Sequence, residues 1–110
     1  MVDLSQLHFL KSLAALTFVD TIYLYGSRAR GNARSRSDID LAIQTFNAAP
    51  NDWNIIDSIV ENADTLLKID CVNLEKIKNE KLRENILKDG IILFRRSTPW
   101  VQEARNLLIV

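Results

Sequence analysis

The chain has 110 residues, 47% of them hydrophobic and 25% charged, and its 14 Lys plus Arg against 14 Asp plus Glu give a formal net charge of +0. That size holds one hydrophobic core but not a catalytic domain beside a substrate domain, so residues 1–110 are expected to form a single domain, and the aliphatic content excludes a disordered chain. Balanced charge gives no global attraction to duplex nucleic acid or to an anionic membrane; the single Cys71 cannot form an internal disulfide, and with no signal-like N-terminus or apolar run of membrane length the expectation is a cytoplasmic protein.

In chain order, Leu7, Leu10, Leu13, Ala14 and Leu16 recur at helical spacing, which predicts an amphipathic helix from Ser5, as N-cap, to about Phe18. His8, the only histidine, falls inside it and is read as a surface or packing residue. Thr21 to Tyr25 are β-branched and aromatic and end at Gly26, a strand. Ser27 to Arg36 are polar, basic and small, with room for a short helical turn, and Ile39 to Ile43 return to an apolar strand that starts at two aspartates. Pro50 closes a loop, and Asn51 or Asp52 caps a helix with Trp53, Ile56, Val60 and Ala63 on one face. Leu67 to Val72 form a third strand, apolar but for Asp70, in which Cys71 is a small buried hydrophobe with no assigned role. Leu74 to Asp89 predict a charged helix with Glu84 and Lys88 paired at i, i+4 and Gly90 as its stop, followed by a strand from Ile91 to Phe94. From Pro99 to Val110 the residues Trp100, Val101, Ala104, Leu107 and Leu108 lie on one helical stripe, and such a stripe packs on its own core or on a partner, so residues 95–110 are a candidate partner-contacting tail.

The chemistry is concentrated in Gly26-Ser27, ten residues, then Asp38-Ile39-Asp40. A strand puts residues i and i+2 on one face about 6.6 Å apart, so Asp38 and Asp40 project together. Two such anions repel and raise each other's pKa unless a cation compensates, and Mg²⁺ is the natural one because it prefers carboxylate oxygens and completes its octahedron with water and substrate phosphates. Upstream, the Gly26-Ser27 turn lets backbone amides and the Ser27 hydroxyl hold phosphate oxygens, with Arg28, Arg30, Arg34 and Arg36 adding positive charge beside that seat. Asp70, the one acid of its strand, is costly to bury without a metal or a partner, and a third metal-facing carboxylate can also take a proton from an attacking hydroxyl. Each part has a bland reading: paired acids occur in loops, basic loops are solvated, and Asp70 could pair with Lys68.

Gly26-Ser27-x10-Asp38-x-Asp40, within GSRARGNARSRSDIDLAI, resembles the signature of the polymerase-β-like nucleotidyltransferase superfamily, and the small size resembles its minimal nucleotidyltransferase branch. Gly31 and Ser37 match further positions of such signatures. The resemblance implies an α/β fold, a small mixed sheet of about four strands flanked by helices. It also implies two Mg²⁺ ions on Asp38, Asp40 and Asp70, ATP as substrate, and nucleotide contacts at Gly26, Ser27, Arg28 and Ser37. Many stand-alone members of the branch are similar to MntA-type antitoxins, which move AMP from ATP onto a tyrosine of a cognate HEPN-domain ribonuclease toxin in a type VII-like system. Others resemble the catalytic half of aminoglycoside-type nucleotidyltransferases, whose helical partner binds the small-molecule substrate. Both imply a hetero-oligomer, since so short a chain has little material for an acceptor pocket; a noncatalytic binding partner is the remaining class, and three converging acids argue against it.

Overall fold

Two separate runs, the β-branched and aromatic one that ends at Tyr25 and the aliphatic one that begins at Ile39, supply the two adjacent central strands of the fold. In the computed structural model, which describes residues 7–96, strands β1 (Val19–Tyr25), β2 (Ile39–Thr45), β3 (Ile69–Asn73) and β4 (Ile91–Arg95) form one four-stranded sheet in the order β3-β2-β1-β4. β1 is antiparallel to β2 and β4, while β2 and β3 run parallel. A parallel pair needs a crossover, here helix α3 (Asp52–Glu61). The other helices are α1 (His8–Ala15), the single turn α2 (Ser27–Arg30) between β1 and β2, and α4 (Glu80–Asp89). This is the mixed α/β sheet that the sequence implies.

Strand alternation divides the core between the two faces of the sheet. Ile39, Leu41 and Ile43 of β2, with Ile22 and Leu24 of β1, pack in a cluster with Phe9 and Leu13 of α1 and Ile56 of α3. Tyr23 and Ala42 face the other way, in a cluster with Leu74 and Ile86, the latter from α4. Leu41, Ile43 and Ile56 are fully enclosed, and cutting any of them to Ala costs about 2–5 kcal/mol.

Several boundaries move from their sequence-based positions. The first helix is shorter than Ser5 to Phe18: its chain is already extended at Leu16, and Ser5 falls outside the described residues. Its exposed N-terminal amides are capped across the fold instead, where the Asp64 carboxylate accepts from the N–H groups of His8 at 2.9 Å and Phe9 at 3.2 Å. The helix expected from Leu74 to Asp89 is broken. Asn73 Oδ1 accepts from the Glu75 N–H at 3.0 Å and caps a 3₁₀ turn (Leu74–Lys76), and Asn79 Oδ1 accepts from the Leu82 N–H at 3.1 Å and starts α4. Two asparagine caps outweigh the helical spacing across them. The sequence-predicted tail stripe lies outside the described residues. No described helix is long and apolar enough to cross a membrane.

Candidate active site

The parity that sends Ile39, Leu41 and Ile43 into the α1–α3 core sends Asp40 to the α4 face. On β3 the same rule separates Ile69 and Cys71 from Asp70 and Val72. The register then aligns Asp40 with Tyr25 on its antiparallel neighbour and with Asp70 on its parallel one. Tyr25, Asp40 and Asp70 therefore form a row across three strands on one face, with strands about 4.8 Å apart. Asp38 lies two residues ahead of Asp40, just outside β2, and is exposed.

Asp70 is exposed too, which corrects the expectation that its carboxylate is costly to bury: β3 is an edge strand, open on one side. Asp40 is the half-buried member. Burial first, then the charges of Asp70 and Asp38, push its carboxyl above the usual carboxylate range, against the smaller pull of Arg30 and Lys68. Tyr25 is pushed up to about 12 by burial, then Asp70 and Asp40, so its phenol is a protonated donor at neutral pH.

Among the described residues no group of three His, Cys, Asp or Glu side chains is gathered closely enough to hold a metal ion. What the row offers is two in-register carboxylates with a third at the rim. The oxygen-only donor set fits Mg²⁺, an ion that keeps several of its waters.

The turn beside this row is built for close approach. Gly26 has φ 74° and ψ −153°, a conformation open essentially to glycine alone. A Cβ there would clash with Oδ2 of Asp40, so the backbone of the turn packs directly against the acid. The Gly26 carbonyl accepts from the Arg30 N–H at 3.1 Å, closing α2, and Gly31 (φ 77°) ends it. Arg28 and Ser37, both expected at the nucleotide, are engaged in the loop that carries Asp38. Arg28 donates through Nη2 to the carbonyls of Ser37 at 2.7 Å and Ser35 at 3.2 Å, and through Nε to those of Ser37 at 3.2 Å and Asp38 at 3.3 Å. The Ser37 hydroxyl accepts from the Arg34 N–H at 2.8 Å.

Residues 9–99 match the family described as polymerase beta, nucleotidyltransferase. The chain belongs to this nucleotidyltransferase family. Its fold is shared with a chain of a toxin–antitoxin complex with AMP-PNP, at 20% identity and TM-score 0.61, over 93% of this chain and 80% of that one. A variant of the toxin–antitoxin pair MntA–HpeT gives 19% identity and TM-score 0.60 over 99% and 96% of the two chains. For a putative nucleotidyltransferase from Sulfolobus solfataricus the values are 18% and 0.52, over 81% and 76%. No curated protein matches the chain.

Within this nucleotidyltransferase the sequence reading missed a cavity of about 320 Å³ on the same face, between α2 and α4, with Tyr25 and Gly26 in its lining. Asn85 and Asp89 of α4 line it. Their signal was present in the sequence, a polar pair at i, i+4 beside the apolar pair Leu82 and Ile86. Tyr25 was also missed as a site residue, because nothing but the strand register sets it beside Asp40.

Proposed function

We propose that this nucleotidyltransferase is an Mg²⁺-dependent antitoxin that transfers AMP from ATP onto a tyrosine hydroxyl of a cognate HEPN-domain ribonuclease toxin. The observation that carries the reading is the in-register pair Asp40 and Asp70 beside a glycine turn packed on Asp40. Its toxin side is supported by the toxin–antitoxin complexes that share the fold, one of them with AMP-PNP.

In this reading Asp38, Asp40 and Asp70 would hold two Mg²⁺ ions, which would supply charge neutralisation at the α-phosphate and a lowered pKa for the attacking hydroxyl. The amides of the Gly26-Ser27 turn and the Ser27 hydroxyl hold the terminal phosphates. Arg28 fixes the loop of Asp38 and Ser37 and keeps its Nη1 for a phosphate oxygen. The acceptor oxygen attacks the α-phosphorus, Asp70 takes the hydroxyl proton, and the bond to the β-phosphate breaks to release pyrophosphate. Antitoxin and toxin work as a hetero-oligomer in the cytoplasm.

The test is to incubate the chain with Mg²⁺, ATP labelled at the α-phosphate, and the HEPN-domain protein encoded beside it. The expected result is label on a tyrosine of that protein, loss of its ribonuclease activity, and neither effect with Asp40→Asn. Label found only on a small-molecule alcohol in the presence of a helical partner would replace the antitoxin with a two-chain small-molecule transferase.

A further inference from the structure

The cavity between α2 and α4 shares Gly26 with the phosphate-holding turn and has no occupant in the chemistry described above. Its walls are apolar at Ala29, Leu82 and Ile86 and polar at Arg30, Asn85 and Asp89. We propose that this cavity seats the base of the nucleotide, and that Asn85 and Asp89 select a base carrying an exocyclic amino group, as adenine does. The inference rests on the nucleotidyl-transfer reading of the site and names the specificity of that same site.

Three observations carry it. The first is position. Tyr25 and Gly26 border both the cavity and Asp40, so a ligand in the cavity is contiguous with the acid row. In the strand order β3-β2-β1-β4 the cavity sits on the β1 side of Asp40, where Gly90 leads into β4, whereas Asp70 sits on the opposite side, on β3. If Asp70 serves the acceptor, the acceptor arrives over β3 and the nucleotide extends the other way.

The second is size and lining. About 320 Å³ is at the small end of ligand pockets, enough for a base and part of its ribose, and apolar walls suit a flat ring. The Arg30 guanidinium at the same cavity can lie on the face of that ring.

The third is the polar chemistry. A carboxylate inside the cavity repels phosphate, so the polyphosphate belongs at the turn and not here. Asn85 and Asp89 are one helical turn apart on α4, with Cβ atoms roughly 5–6 Å from each other. An asparagine amide pairs with adjacent donor and acceptor atoms on the edge of adenine, and a carboxylate accepts from an exocyclic amine. Uracil turns a carbonyl oxygen to that position and meets like charge, so the same pair rejects it.

Calorimetry with the full chain, Mg²⁺ and each nucleoside triphosphate tests this apart from transfer. Asn85 and Asp89 are both exposed on α4, so Asn85→Ala and Asp89→Asn are expected to fold, which circular dichroism checks. The unmodified chain should bind ATP at least tenfold more tightly than UTP, and in the double variant the ratio should fall to within about threefold of unity. ATP and UTP bound alike by the unmodified chain, or a preference the double variant leaves intact, overturns the base seat while nucleotide binding itself stands. Normal ATP binding with slower transfer in the variants overturns it in favour of the acceptor occupying the cavity. Failure of the unmodified chain to bind any triphosphate overturns it together with the nucleotidyl-transfer reading.

Discussion

A Cβ atom on Gly26 would clash with Oδ2 of Asp40, which makes the turn and Asp40 one packed unit. Gly26→Ala therefore combines two faults. Its φ of 74° costs an alanine about 1 kcal/mol or more, and the new methyl group must displace the carboxylate. The expected outcome is a melting temperature lower by several degrees and a transfer rate per folded molecule reduced at least tenfold. Normal transfer by the folded variant, measured after correcting for the unfolded fraction, would break the link between turn and acid.

Arg28 donates to three backbone carbonyls of the Asp38 loop, those of Ser35, Ser37 and Asp38, through one planar fork. A lysine keeps the charge but cannot reproduce that fork. Arg28→Lys should cost about 1–2 kcal/mol in stability and slow transfer by displacing Asp38. If its charge toward phosphate were all that mattered, lysine would preserve both. Denaturant unfolding and turnover on the one variant separate these outcomes.

Asp40 gives a pH-dependent signature. Its carboxyl is raised in the folded state, so folding favours the protonated form; that contribution to stability is present below the ordinary carboxylate range and is lost as pH rises through the raised value. At neutral pH the ionised Asp40 thus opposes folding, because of its burial and the charges of Asp70 and Asp38. Asp40→Asn should raise the melting temperature near neutral pH, lose that advantage in acid where the wild-type carboxyl is protonated, and abolish transfer. Mg²⁺ should raise the wild-type melting temperature and affect the variant much less. A variant less stable than wild type at neutral pH would contradict the assignment.

The strand signals around the signature were legible in the residues themselves. The alternation of Ile39, Leu41 and Ile43 with Asp40 fixed which side chains share a face, and Gly26 marked the turn. The meeting of Asp40 with Asp70 was implied by the family resemblance alone; no local pattern shows it, because it requires β3 to lie parallel beside β2 in one particular register. For the same reason the sequence put a burial cost on Asp70, since no local pattern says that β3 is an edge. The break between Leu74 and Asp89 was missed because the apolar spacing continues across Asn79, and only its capping bond decides where α4 begins. The bonds of Arg28 to the Asp38 loop were not legible either, because the sequence displays its charge and hides the carbonyls it meets.

Asp70 separates mechanism from architecture. A structural role, with Asp70 merely paired to Lys68 or an arginine, requires that removing its charge lower stability. The residue is exposed on an edge strand, and its charge opposes ionisation of Asp40, so Asp70→Asn should leave the melting temperature unchanged or slightly raised. If Asp70 takes the proton of the acceptor hydroxyl, the loss falls on the chemical step, by about 10²–10⁴-fold for a general base, while ATP affinity stays within a few-fold because the turn still holds the phosphates. Binding and turnover then come apart in a way no loss of folding can imitate. Melting temperature, ATP affinity and single-turnover AMP transfer on this variant decide the matter. A destabilised protein with normal turnover would remove Asp70 from the chemistry and leave Asp38 and Asp40 to act with a proton acceptor brought by the partner chain.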